Sequence, residues 1–234
     1  MTGEHWLEDG DERFAVSVAR GDAPACAVLF AVGGGGSPER HRPLLSALVR
    51  SGCVVVAPHF DRLVSPEPSD GALSLRARRL AMALEAFAPA GLPVAGVGHS
   101  IGATMLLALA GGQLWTRAGR RLPIAPAPRL ERLALLAPAT GFFQAPEALD
   151  AVTTPILAWA GTRDEVTPPA QAAALARAMG HRVPVDIRII EGAGHFSFMD
   201  VPPPHITDPL ADRERLLADL AVEIGRFVVP QQSA

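Results

Sequence analysis

The stretch Pro93–Gly102 reads PVAGVGHSIG, and it decides the architecture. Its first part, Pro93–Gly98, is short, apolar and made of small or β-branched residues, which predicts a strand buried on both faces. The next residues, Ile101–Ala110, are apolar on every side and predict a buried helix. Between them lies Gly98-His99-Ser100-Ile101-Gly102, a G-x-S-x-G pattern. The pattern alone is weak evidence, but a switch from buried strand to buried helix is the place where a nucleophile elbow forms. Small residues at 98 and 102 let strand and helix approach, and the sharp turn lifts the serine hydroxyl above the sheet.

Outward from this point, short β-branched runs alternate with amphipathic helical patterns. Glu12–Arg20 alternates polar and apolar residues, and His5–Glu8 can pair with it through Asp9-Gly10-Asp11. Cys26–Val32, Cys53–Ala57, Leu133–Leu136, Pro155–Ala160 and Val185–Ile190 read as further strands, and Leu73–Phe87 as a helix. Ser37 caps a helix that opens with Pro38; Thr167 and Pro168 do the same for Ala170–Met179. A last helix starts at Asp208-Pro209, with Leu210, Leu217, Leu220, Ile224 and Phe227 on one stripe. Strands alternating with helices predict an α/β fold: a mostly parallel twisted sheet with helices on both faces, in a single domain spanning 1–234. The irregular stretch Gly111–Arg129 comes after a helix and precedes a strand, which places it at the N-terminal edge of the sheet, away from any site.

Sites in open parallel sheets gather beyond the carboxyl ends of strands. Three strands end in chemically useful residues: Ser100 after the first, Asp164 in Gly161-Thr162-Arg163-Asp164, and His195 in Gly192-Ala193-Gly194-His195. A serine hydroxyl is a poor nucleophile at neutral pH and needs a base, for which His195 is the candidate. The imidazole in turn needs an anion to fix its tautomer, for which Asp164 is the candidate, with Asp61 as a rival acid. A developing oxyanion needs two backbone N–H donors. Ile101, next to the nucleophile, supplies one, and Gly34 in the run Gly33–Gly36 supplies the other. His99 reads as packing beside the elbow, and His41, His59, His181 and His205 as loop or surface residues without metal-ligand spacing.

From Glu12 to Val229, element order and motif positions resemble the α/β-hydrolase family. The segments GHSIGA, TRDEVTPP and GAGHFSF are similar to those of dienelactone hydrolase-like proteins and small carboxylesterases. Two positions depart from that pattern: residue 100 is Ser where dienelactone hydrolase proper has Cys, and Val32-Gly33 stands where many relatives have His-Gly. The resemblance implies a serine hydrolase that cleaves carboxylic esters of small molecules through an acyl-enzyme, with no metal or organic cofactor. Thioesterase and peptidase activities share the apparatus, and a non-catalytic ligand-binding protein on the same fold is the rival from another class. Only Ala139–Val152 is left for a cap, which implies a lightly covered site. Phe142, Phe143, Phe196 and Phe198 are the candidate pocket walls, beside Met199 and the rigid Pro202-Pro203-Pro204.

Composition narrows the rest. Of 234 residues, 49% are hydrophobic and 19% charged, which excludes intrinsic disorder. A net charge of -3 offers no electrostatic case for nucleic acid or an anionic membrane. No apolar run is long enough to span a bilayer, and Met1–Asp11 carries four acidic residues and no apolar core of a signal peptide, so the expected compartment is the cytoplasm. The chain contains no Lys, Tyr or Asn, a bias that matches GC-rich codon usage. Cys26 and Cys53, too few for a disulfide scaffold or a zinc site, read as two buried thiols on neighbouring strands. A monomer and a homodimer are both compatible with this composition.

Overall fold

The β-branched runs do as their pattern demands: they hydrogen-bond side by side and leave the helices to cover them. The computed structural model describes residues 2–65 and 67–230. A hairpin comes first, β1 (Thr2–Asp9) against β2 (Glu12–Ala19), closed by Gly10 at φ 66°. After it come β3 (Cys26–Ala31), a 3₁₀ turn at Pro38–His41 running into α1 (Arg42–Arg50), β4 (Cys53–Pro58) and α2 (Asp70–Phe87). Next are β5 (Val94–His99), α3 (Ile101–Leu109), a small hairpin of β6 (Leu114–Trp115) and β7 (Arg121–Leu122), and β8 (Leu130–Leu136). The chain ends with β9 (Ile156–Gly161), α4 (Pro169–Met179), β10 (Val185–Ile190) and α5 (Arg213–Val228). The large sheet has eight strands in the order β1-β2-β4-β3-β5-β8-β9-β10. β1 and β2 pair antiparallel, as do β2 and β4, and the pairs from β4 through β10 are parallel.

Strand side chains alternate between the faces, so each central strand serves two cores. Ala27, Leu29 and Ala31 point to the layer of α2, α3 and α4, where Leu73, Leu80, Leu106 and Leu175 pack. Cys26, Val28 and Phe30 point to the layer of α1 and α5, against Leu48, Leu220 and Ile224. All nine residues of α3 are buried, the outcome its uniform apolarity predicts. Cys26 and Cys53 are register partners at the start of β3 and β4, buried and free, with Sγ atoms 2.8 Å apart. The first hairpin is tied to α2 by Asp9, which pairs with Arg78 at 2.7 Å and Arg79 at 2.9 Å.

Three details differ from the sequence reading. Thr167 does not cap α4, whose N-cap is Pro168; its hydroxyl is committed elsewhere. The last helix begins at Arg213, because the Asp208 carboxylate accepts from the Leu210 N–H and the Ser197 hydroxyl and so turns the chain before the helix can start. Leu210 packs on the α5 layer from outside the helix. The stretch after α3 is not irregular throughout, because β6 and β7 pair there into a short arm. No helix among the described residues is long and apolar enough to cross a membrane.

Candidate active site

Ser100 sits between β5 and α3 with φ 55°, a left-handed conformation that costs a non-glycine residue energy and persists only where its surroundings enforce it. The enforcement is visible. Ser100 N–H donates to Leu136 O at 2.9 Å, and a Cβ placed on Gly102 would lie 2.0 Å from Ala31 O. Only glycine at 102 lets α3 descend so close to β3.

The residues just past β9 and β10 converge on this serine. His195 Nε2 lies 3.0 Å from Ser100 Oγ, and His195 Nδ1 lies 2.9 Å from Asp164 Oδ2. Asp164 Oδ1 accepts the N–H groups of Val166 at 2.9 Å and Thr167 at 2.7 Å. Thr167 Oγ1 donates to Asp164 Oδ2 at 2.8 Å, with Ala137 O a second acceptor at 3.1 Å. Burial pushes the Asp164 carboxyl up, but the hydrogen bond and charge of His195 and the bonds from Thr167 outweigh it, leaving Asp164 below its ordinary value. An ionised Asp164 can only accept, so Nδ1 of His195 carries the proton and Nε2 faces the Ser100 hydroxyl as a bare acceptor. That is the tautomer a general base requires. The rival Asp61 is exposed, and His195 is bonded to Asp164 instead.

Two further histidines line up behind His195. His99 donates from Nε2 to His195 O at 3.0 Å, and its ring centroid is 4.9 Å from that of His195. Burial, with the charges of His195 and His41, holds His99 well below the usual histidine range. His41, expected in a loop or on the surface, is only 1% exposed and packs, tilted, between Phe30 and His99. Burial and the neighbouring Arg40 bring its pKa down to about 3. Both rings are neutral at physiological pH and shape the floor behind the base.

Ser100 opens into a cavity of about 750 Å³, of the size that holds a drug-sized molecule. Gly34 and Ile101, the candidate oxyanion donors, share its wall with Ser100. The Ile101 N–H belongs to the first turn of α3, where a helix leaves its amides without internal acceptors. The four predicted aromatic walls separate. Phe142 lines the cavity. Phe143 is 6% exposed and packs in the α2–α3–α4 core, because successive residues of the 3₁₀ turn Thr140–Phe143 point about 120° apart. Phe198 is 1% exposed in the opposite core, and Phe196 stands edge-on to the His195 ring at 5.0 Å. Neither of these last two is on the cavity wall, a correction to the sequence reading.

The β6–β7 arm is the larger correction. Both its ends lie where the sequence placed them: Gly112 N–H bonds Leu107 O, and Ala127 N–H bonds Leu109 O at the end of α3. Its tip does not, for Trp115, Thr116, Arg117 and Arg120 line the Ser100 cavity. Arg117 pairs with Glu67 and Arg120 with Asp70, each at 2.6 Å, so the arm is clasped to the opposite rim. Thr167 and the arm are the site components that sequence reasoning missed. Asp164 and Thr167, three residues apart, do carry a faint local signal, a carboxylate poised to accept its own downstream amides. Nothing local reports where the arm's tip goes.

Solved structures bear on this arrangement. A thermophilic esterase of Thermogutta terrifontis, bound to propionate, superposes with a TM-score of 0.70 at 16% identity, covering 99% of this chain and 97% of the esterase. A carboxylesterase of Lactobacillus plantarum gives 0.66 at 14% identity, covering 99% of this chain and all of that one (100%). A protein of unknown function from Agrobacterium tumefaciens, described as a candidate α/β hydrolase, gives 0.68 at 16%, covering 98% of this chain and 100% of that one. The chain has the α/β-hydrolase fold. No protein-family model matches the sequence, nor does any curated protein. Within the α/β-hydrolase fold, the ends of β5, β9 and β10 and the loop after β3 meet at one rim of the sheet. That is where Ser100, Asp164, His195 and Gly34 stand.

Proposed function

We propose that this protein is a serine hydrolase that cleaves carboxylic esters of small molecules through an acyl-enzyme. The observation that carries the reading is the unbroken hydrogen-bonded chain Ser100–His195–Asp164, whose serine end opens into a cavity large enough for substrate. Ser100 Oγ attacks the ester carbonyl while His195 Nε2 takes its proton. The resulting imidazolium is stabilised by Asp164, whose ionised state the Thr167 bonds support. The Ile101 and Gly34 amides hold the tetrahedral oxyanion. His195 then protonates the leaving alkoxide, and the alcohol departs. Water, deprotonated by His195, attacks the acyl carbonyl, and the acid is released with Ser100 reprotonated. Esterases among the structures of similar fold support ester as the substrate class. Of the 139–152 segment only Ala139, Gly141 and Phe142 reach the cavity, beside the tip of the β6–β7 arm, which suits a small or extended ester.

Active-site labelling tests the reading. A fluorophosphonate probe is expected to modify Ser100 alone in the folded protein, identified by peptide mass spectrometry. A folded protein that takes up no label supports a ligand-binding role without turnover. A panel of p-nitrophenyl esters, thioesters and anilides then ranks the acyl-transfer activities that share this machinery.

A further inference from the structure

Arg76, on α2, is a buried cation for which the hydrolytic mechanism has no use. It is 2% exposed, and no carboxylate pairs with it among the described residues. Its guanidinium lies beneath the 33–36 loop. Nη1 donates to Gly33 O at 3.2 Å and reaches Val32 O at 3.5 Å, Nη2 donates to Asp61 O at 2.9 Å, and the plane covers the Phe60 ring at 4.8 Å. Burial lowers its pKa to about 10, with Asp61 opposing, so it stays charged at neutral pH. Burying a cation without a counter-ion is costly. Here backbone carbonyls and an aromatic face take the place of water.

Those carbonyls belong to the loop that carries Gly34. Peptide bonds are planar and none here is cis, so each N–H points opposite the C=O of its own peptide unit. Arg76 draws the carbonyls of Val32 and Gly33 to one side, with the Gly36 N–H a second donor to Gly33 O at 3.1 Å, which turns the N–H groups of Gly33 and Gly34 to the other. Two more carbonyls of the loop are tied down as well: Gly34 O accepts from Leu63 N–H at 2.8 Å and Gly36 O from Phe60 N–H at 2.9 Å. Among the described residues the Gly34 N–H donates to no protein acceptor, and Gly34 shares the cavity wall with Ser100 and Ile101. Gly33 backs directly onto the elbow, since a Cβ placed there would lie 3.5 Å from Ser100 Cβ.

We infer that Arg76 is a positioning residue for the oxyanion hole. It holds the Gly33–Gly34 peptide so that its N–H meets the oxyanion, and it sets a positive charge behind that peptide. The charge acts through the bond it makes: a carbonyl polarised by a guanidinium leaves its own N–H a stronger donor. The inference rests on the ester-hydrolase reading.

The test compares Arg76→Lys and Arg76→Gln with the parent on p-nitrophenyl butyrate, with thermal unfolding followed in parallel. Arg76→Gln is expected to lower kcat by about 10–10²-fold, since a whole oxyanion donor is worth about 10²–10³. KM is expected to stay within about threefold, because the lost interaction is made only in the transition state. Arg76→Lys, which keeps the charge, is expected to lose less. A folded Arg76→Gln protein with parental kcat overturns the inference, as does a loss confined to KM. A measurement on the unmutated protein stands even if the variants fail to fold. When n-butylboronic acid forms its tetrahedral adduct on Ser100, the amide proton resonances of Gly34 and Ile101 are expected to move downfield together. An adduct on Ser100 with an unmoved Gly34 amide removes the role of Arg76 while leaving the hydrolase reading intact. If neither the boronic acid nor a fluorophosphonate attaches to Ser100, the hydrolase reading falls, and the role of Arg76 with it.

Discussion

The floor and the rim of the Ser100 cavity are held by different physics. On the floor, Asp164 is 3% exposed and His195 7%, and the Asp164 carboxylate is held by the Val166 and Thr167 amides, the Thr167 hydroxyl and the His195 ring. On the rim, the Arg117–Glu67 pair that clasps the β6–β7 arm is exposed, at 83% and 61% of the two side chains. Exposed pairs of this kind are screened by water and salt and contribute little to stability. Buried hydrogen bonds are not screened, and leaving one partner unsatisfied is expensive. The floor is therefore built to hold one geometry. The rim is held by contacts that water and salt can weaken.

The comparison breaks first at Ser100. Replacing it with Ala is expected to lower kcat by about 10⁴–10⁶ at unchanged thermal midpoint, because a small side chain is lost and the chemistry with it. A variant that keeps more than a tenth of parental turnover removes Ser100 from the mechanism. Asp164→Asn comes next, with an expected loss of about 10⁴ in kcat, because an amide presents an N–H or the wrong acceptor to Nδ1 and frees His195 to adopt the unproductive tautomer. Steady-state kinetics on a p-nitrophenyl ester decides both.

Thr167→Val sharpens the picture of the floor. It removes the Oγ1–H···Oδ2 bond while keeping the shape of the side chain, at an expected cost of about 1 kcal/mol in denaturant unfolding at neutral pH. It also has a pH signature. Asp164 titrates lower in the folded protein than in the unfolded chain, so its contribution to stability is complete above the ordinary aspartate value of 3.8 and fades as pH falls through the folded value. Losing the Thr167 bond raises the folded value and narrows that window. The acid-unfolding midpoint of the variant is then expected at higher pH than that of the parent, and an unmoved midpoint assigns the stabilisation of Asp164 to His195 and the Val166 and Thr167 amides.

The smallest effects belong to the rim. Glu67→Ala or Arg117→Ala is expected to leave kcat on an acetyl ester unchanged and the thermal midpoint within error, while KM for bulkier esters shifts and becomes less sensitive to salt. A large drop in kcat on the acetyl ester shows instead that the arm reaches the reacting atoms, and the division between floor and rim fails.

Much of this is readable along the chain. Each strand and helix that carries the site is marked by its own period and turn residues, and Ser100, Asp164 and His195 are singled out by their places just past strand ends. The misreadings share a cause. Phe143 and Phe198 look like Phe142 in sequence, yet a 3₁₀ turn or a core layer points them away from the cavity. His41 has nothing beside it in sequence to suggest a neutral ring packed against Phe30 and His99. Thr167 carries a capping pattern, and its hydroxyl finds a better acceptor in Asp164, brought within reach by the turn between them.

Local periodicity, turn chemistry and the order of motifs were enough to specify the alternation of strands and helices and the three residues at their ends, because those properties act between near neighbours along the backbone. The tip of the β6–β7 arm, the aromatic that faces the cavity, and the guanidinium beneath the Gly34 loop were settled only when distant segments packed together. Each depends on which groups meet through space after burial, and a buried donor or charge accepts whichever partner the packing brings.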